Sequence, residues 1–128
     1  MQKLTAQRQA ILDVINRSDK HWDADEVAYA LKESDTPIGI ATVYRGLAAL
    51  AEQGLVESIQ LADKKRYERA DKKHHDHLIC TQCADIEEFC KPEIENLQNL
   101  VASEHDFTIE GHQLLLFGIC RKCNTGER

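Results

Sequence analysis

At 128 residues the chain makes one domain or two very small ones, and small units often need a metal or a partner chain to complete a core. No apolar run reaches membrane-spanning length and the N-terminus lacks signal-peptide character, so a cytoplasmic protein without membrane attachment is expected. A net charge of −6 disfavours nucleic acid overall, yet residues 1–70 hold 10 Lys/Arg against 11 Asp/Glu while residues 71–128 hold 6 against 11, so a local basic face on the first half stays open.

Thr5 can cap a first helix whose apolar positions Ile11, Leu12, Val14 and Ile15 recur near helical spacing. Asp23 followed by Glu26 predicts a capping box opening a second helix, with Val27, Ala30 and Leu31 inward. Pro37 and Gly39 break the chain. Thr42 is then expected to open a third helix, Val43 to Gln53, with Val43, Leu47 and Leu50 on one side and Gly54 as its stop. Leu55 to Leu61, the polar turn 62–65 and Arg66 to Arg69 predict a β-hairpin. Helix, helix, helix, hairpin is the order of a winged helix-turn-helix, whose last helix enters the major groove of double-stranded DNA.

The exposed side of that third helix carries Thr42, Tyr44 and Arg45. Arg grips guanine or phosphate with two bonds, and Tyr touches a thymine methyl or phosphate; an ordinary solvated helix face fits the same pattern. Lys64, Lys65 and Arg66 at the hairpin tip suit phosphate contact or simply solubility, and Lys3 and Arg8 could reach backbone or minor groove.

The second half is organised by Cys80-Thr81-Gln82-Cys83 and Cys120-Arg121-Lys122-Cys123. A two-residue gap lets two thiolates turn back on one ion at about 2.3 Å, and two such knuckles close a tetrahedral site whose natural occupant is Zn(2+). Five cysteines, four of them in knuckles, fit a reduced compartment better than a disulfide framework, and the odd one, Cys90, is expected to be packed and inert. His77 to Thr81 and Asp85 to Phe89 predict short strands, Pro92 opens a helix to about Glu104 with Ile94, Leu97, Leu100 and Val101 as its stripe, and His112 to Ile119 predicts a strand. Leu114 to Phe117 are all apolar, so both faces of that strand are expected to be covered, as in a homodimer sharing a sheet. The fold class that follows is α+β: a winged helix over 1–70 and a small α/β metal-binding dimerisation domain over 71–128.

Before the first knuckle stands His74-His75-Asp76-His77. On a strand His75 and His77 share one face while His74 and Asp76 take the other, so one strand can feed two sites. Glu68, Glu88 and His21 could complete a site around His75 and His77; taken singly, His21 is more often a surface or helix-entry residue, and Glu68 and Glu88 are usually solvated strand residues. His74, Asp76, Glu95 and His112 fit either a second site or a structural role. Two histidines with carboxylates and no thiolate suit Fe(2+), Mn(2+), Co(2+) or Zn(2+).

Gly39-Ile40-Ala41-Thr42-Val43-Tyr44-Arg45, His74-His75-Asp76-His77-Leu78-Ile79-Cys80 and the paired knuckles resemble the ferric uptake regulator family over nearly the whole chain. The resemblance implies a metal-activated repressor with a winged helix and a dimerisation domain. It implies structural zinc on Cys80, Cys83, Cys120 and Cys123, a regulatory site of His21, Glu68, His75, His77 and Glu88 between the domains, and an additional site of His74, Asp76, Glu95 and His112. It places DNA contacts at Tyr44, Arg45 and Lys3. The segment before Lys3 is shorter than in many iron-type members, so a DNA contact from an extra helix there is not implied. Peroxide-sensing members use aspartates where this chain has Glu68 and Glu88, and zinc-sensing members place a cysteine shortly before the histidines, where residues 69–73 have none. An iron(II)-responsive repressor of metal homeostasis is therefore expected, with zinc- or manganese-responsive and peroxide-sensing regulators as alternatives. From other classes, a zinc-ribbon interaction module and a thiol redox protein share the knuckles, whereas a zinc hydrolase would need an open metal position that four thiolates deny.

Overall fold

The computed structural model describes residues 4–61 and 64–124, so Lys3, Ala62 and Asp63 lie outside the described residues. The chain divides into two compact units, residues 1–72 and 73–128. No helix among the described residues is long and apolar enough to cross a membrane.

The first unit contains α1 (Ala6–Ile15), α2 (Ala24–Glu33), α3 (Ile40–Glu52), β1 (Val56–Gln60) and β2 (Lys65–Arg69). Thr5 Oγ1 accepts from the Arg8 amide at 3.1 Å and starts α1. At α2 the capping box is complete: Asp23 accepts from the Glu26 amide at 2.8 Å, and Glu26 accepts from the Asp23 amide at 2.9 Å. Thr42 does not open α3. That helix begins at Ile40 with Gly39 as its N-cap, and Gly39 gives no side-chain signal. At its far end Gly54 takes a φ of 77°, which lets the Leu55 amide reach back to Leu50 O at 2.9 Å and close the helix.

Ile11, Val14, Ile15, Val27, Leu31, Val43, Leu47 and Leu50 form one core with Ala24, Val56 and Tyr67. A Cβ at Gly46 would lie 2.6 Å from Ile11 Cδ1, so α1 and α3 approach this closely because residue 46 lacks a side chain. The hairpin pairs Val56 with Arg69 through Gln60 with Lys65, with β1 ending a residue short of Leu61 and β2 starting a residue before Arg66. A further bridge joins Trp22 to Tyr67, each amide donating to the other's carbonyl at 2.7 Å. That bridge sews the loop before α2 onto the wing.

The second unit contains β3 (Asp76–Cys80), β4 (Ile86–Phe89), α4 (Pro92–Glu104) and β5 (Leu115–Gly118). Its sheet has the order β4-β3-β5, antiparallel between β3 and β4 and parallel between β3 and β5. On α4 Leu97, Leu100 and Val101 are more than half exposed in this single chain, and Leu116 and Phe117 on opposite faces of β5 are exposed as well. Two expectations are corrected here. β5 is shorter than 112–119. Cys90 is exposed rather than packed. Amphipathic periodicity reports that a face is apolar and says nothing about which molecule covers it.

Asp23 links this packing to pH. Burial raises its carboxyl, but the Glu26 amide and Lys64 together outweigh burial and hold it below 3.8. A carboxyl lowered in the native state stabilises above its unfolded value and loses that contribution as pH falls through its native value. Asp23→Ala should cost about 1 kcal/mol near neutrality. Asp23→Asn keeps a cap acceptor without the charge, so urea midpoints of the parent should fall more steeply than those of the Asn variant below about pH 4. Equal slopes would contradict this reading.

Candidate metal centres and nucleic-acid interface

β3 and β5 run in the same direction and each leads into a Cys-x-x-Cys turn, so their pairing sets the two turns side by side. Thr81 seals the joint, its amide donating to Gly118 O at 2.7 Å and its hydroxyl to the same oxygen at 3.1 Å. Cys80 Sγ then lies 3.8 Å from Cys123 Sγ, and Cys83 Sγ 3.7 Å from Cys120 Sγ. Four sulfurs at about 2.3 Å from a tetrahedral ion stand about 3.8 Å apart, so the thiols already have the spacing of a zinc site.

The amides of Gln82, Cys83 and Cys120 all point at Cys80 Sγ from 3.4 Å. Those of Cys83 and Cys120 lead in lowering the Cys80 thiol to about 6, while the Cys120 thiol, burial and Cys80 push Cys123 up to about 12. One thiolate forms easily, whereas a fourth negative sulfur needs a compensating cation. Ala84 follows the first knuckle with a φ of 66°, a left-handed conformation that costs a residue with a Cβ about 1 kcal/mol.

The opposite faces expected for the histidine run are present. His74 and Asp76 join Glu95 from α4 and His112 from the segment before β5, and their ligand atoms lie within 4.8 Å of one another. The separations of His74 Nε2, His112 Nε2, Asp76 Oδ1 and Glu95 Oε2 run from 3.0 to 3.6 Å. Nitrogen and oxygen ligands at about 2.1 Å from a tetrahedral ion would stand about 3.4 Å apart. Asp76 is fully buried and its Oδ2 has no hydrogen-bond partner, a cost that a bound cation would remove.

On the other face His77 pairs in register with Glu88 across the β3–β4 ladder. The His75 and His77 rings stand 4.7 Å apart, and His75 Nε2 is 3.5 Å from Glu88 Oε2. His75 Nδ1 lies 2.6 Å from Lys73 O, so Nδ1 is the protonated donor and Nε2 carries the ligating lone pair. In the first unit the Trp22–Tyr67 bridge sets His21 beside Glu68, with Nε2 3.3 Å from Oε1, and both side chains are buried.

On α3, Tyr44 is 52% exposed, Arg45 is exposed, and half-buried Thr42 accepts from Arg45 Nη2 at 3.2 Å. Lys64 differs from its expected place at a free hairpin tip. Its Nζ is 2.9 Å from Asp23 Oδ2, which ties it to the α2 cap. Two partners carried no sequence signal: Gln98, whose amide is 3.3 Å from His112 Nε2, and Lys72, whose Nζ is 2.7 Å from Glu68 Oε1. Each is visible only once the fold has brought distant residues together.

A sequence profile described as the ferric uptake regulator family matches residues 1–117. The ferric uptake regulation protein of Campylobacter upsaliensis is 44% identical over 125 residues, covering 95% of this chain and 80% of that protein. The Helicobacter pylori ferric uptake regulator Fur, described as having three functional metal binding sites, superposes with a TM-score of 0.87 at 34% identity, covering 92% of this chain and 82% of that one. The iron-containing regulator structure from Francisella tularensis gives a TM-score of 0.85 at 34% identity over 95% of this chain and 94% of that one.

Relief of the left-handed strain after the first knuckle should be measurable. Ala84→Gly should stabilise the chain by about 1 kcal/mol in urea unfolding, because glycine adopts that φ without a Cβ clash. A destabilised variant would show that Ala84 is not strained.

Proposed function

The chain belongs to the ferric uptake regulator family of metal-responsive transcriptional regulators, and from that premise we propose that it is an iron(II)-responsive, homodimeric repressor of metal homeostasis acting on double-stranded operator DNA in the cytoplasm. The observation that carries this reading is the strand β3 and the residues just before it, which supply ligand-type side chains to both faces and end in a knuckle. Cys80, Cys83, Cys120 and Cys123 would hold a structural zinc ion; their sulfur spacing and the closed sulfur donor set support this. His21 and Glu68 from the first unit and His75, His77 and Glu88 from the second would together hold the regulatory ion. His74, Asp76, Glu95 and His112 would hold an additional one.

A bound divalent cation supplies the charge that lets imidazoles and carboxylates converge on one point. His77 and Glu88 on the β3–β4 ladder, with His75 just before it, would hold one side of that site, and Glu68 on the wing with His21 on the loop bridged to it would hold the other. Joining them fixes the orientation of α3, and a preference of a few kcal/mol for that orientation switches operator occupancy. Thr42, Tyr44 and Arg45 read or grip the major groove, with Lys3 as an added phosphate contact. The exposed apolar residues of α4 and β5 supply the surface for a second copy, which gives two reading heads for two half-sites. That donor set suits Fe(2+), Mn(2+), Co(2+) and Zn(2+) alike; the iron reading rests on family resemblance, since residues 69–73 lack the cysteine of zinc-sensing members and Glu68 and Glu88 stand where peroxide-sensing members have aspartates.

His75→Ala/His77→Ala should reduce operator binding to its metal-free level while leaving the dimer and its zinc intact, as read by Fe(2+)-dependent fluorescence anisotropy and metal analysis. An undiminished response to Fe(2+) would overturn the assignment. Arg45→Ala should weaken metal-loaded binding by about 1–3 kcal/mol. Operator affinity unchanged in that variant would remove α3 as the reading helix.

A further inference from the structure

Glu68 is 1% exposed, and a carboxylate that dry needs positive charge beside it. Lys72 supplies it. Its Nζ lies 2.7 Å from Glu68 Oε1 and also donates to Asp19 O at 3.3 Å, with the side chain itself only 12% exposed. The chain is bent to allow this. Arg69 just after Glu68 is clamped to Asp71 by bonds of 2.7 and 3.0 Å and approaches Asp19 at 3.6 Å, so the segment 69–72 folds back over the end of β2. Glu68 Oε1 is also the oxygen that faces His21 Nε2 at 3.3 Å. The ammonium therefore sits on the ligand atom that the first unit offers to the regulatory ion.

We propose that Lys72 is an internal counter-ion that competes with the divalent cation for Glu68, stabilises the form without regulatory metal, and so sets the metal concentration at which the protein responds. This rests on the regulatory-site reading given above. An ammonium and a dication sharing one carboxylate oxygen repel each other at about 4 Å, which in a partly buried site outweighs tenfold in affinity. Either Lys72 leaves when the cation binds, losing two hydrogen bonds, or it stays and weakens the cation. Both routes raise the threshold.

The test uses the full chain with its cysteine site loaded with zinc and Co(2+) as the probe, followed by absorption and calorimetry. Lys72→Met keeps the aliphatic stem without the charge; Lys72→Arg keeps the charge; Glu68→Gln isolates the contribution of this site from that of the His74 cluster. Lys72→Met should tighten Co(2+) binding by about tenfold to a hundredfold and lower the urea midpoint of the Co(2+)-free protein, while Lys72→Arg stays near the parent. Parent-like or weaker binding by Lys72→Met, together with weakened binding by Glu68→Gln, overturns the competition and leaves the regulatory site standing. Parent-like binding by Glu68→Gln overturns the site itself, and the competition with it.

Discussion

The parallel pairing of β3 with β5 is the constraint on which the second unit depends. Two strands running the same way present their C-terminal turns at the same end, and here both turns are cysteine knuckles. Among the described residues of that unit only Ile79 and Cys80 are buried apolar side chains, beside buried Asp76 and His77. An aliphatic side chain contributes about 1.5–3 kcal/mol on burial, whereas structural zinc on such a site carries an apparent 10–16 kcal/mol or so. Within a single copy, coordination rather than apolar burial would dominate the stability of this half. The first unit is the reverse case, with an apolar core from three helices and the wing.

Most of the clustered metal-ligand-type side chains lie in the unit with the smaller apolar core. Alternation along β3 and the residues before it sends His75 and His77 one way and His74 and Asp76 the other, while the strand's end delivers Cys80. Asp76 and His77 stand on β3 itself, where ladder hydrogen bonds to β4 and β5 fix their backbone positions. The wing meets the same need differently, using the two hydrogen bonds between Trp22 and Tyr67 to hold His21 next to Glu68.

Much of this was legible in the residues because short-range chemistry fixed it. Thr5 and the Asp23/Glu26 pair marked their helices through side chains that bond the first turn, and Gly54 marked a stop that requires positive φ. Spacing alone paired the cysteines. The start of α3 was not legible because Gly39 caps without a side chain, while Thr42 three residues on looks like a cap and instead braces Arg45. Glu95 and His112 could be named as candidates but not assigned, since their approach to His74 depends on how α4 and β5 pack, which no local pattern encodes. Lys72 was silent for a related reason: its meeting with Glu68 needs the chain to turn back after β2. The stripe on α4 was legible as apolar, but what covers it was not, because periodicity cannot distinguish one's own core from a neighbour's.

β5 stands at the edge of its three-stranded sheet, short and rich in leucine and phenylalanine. An unpaired edge of that kind templates addition of any extended strand that reaches it. Freshly synthesised copies are therefore most prone to entangle with one another or with other nascent polypeptides in the interval before native assembly.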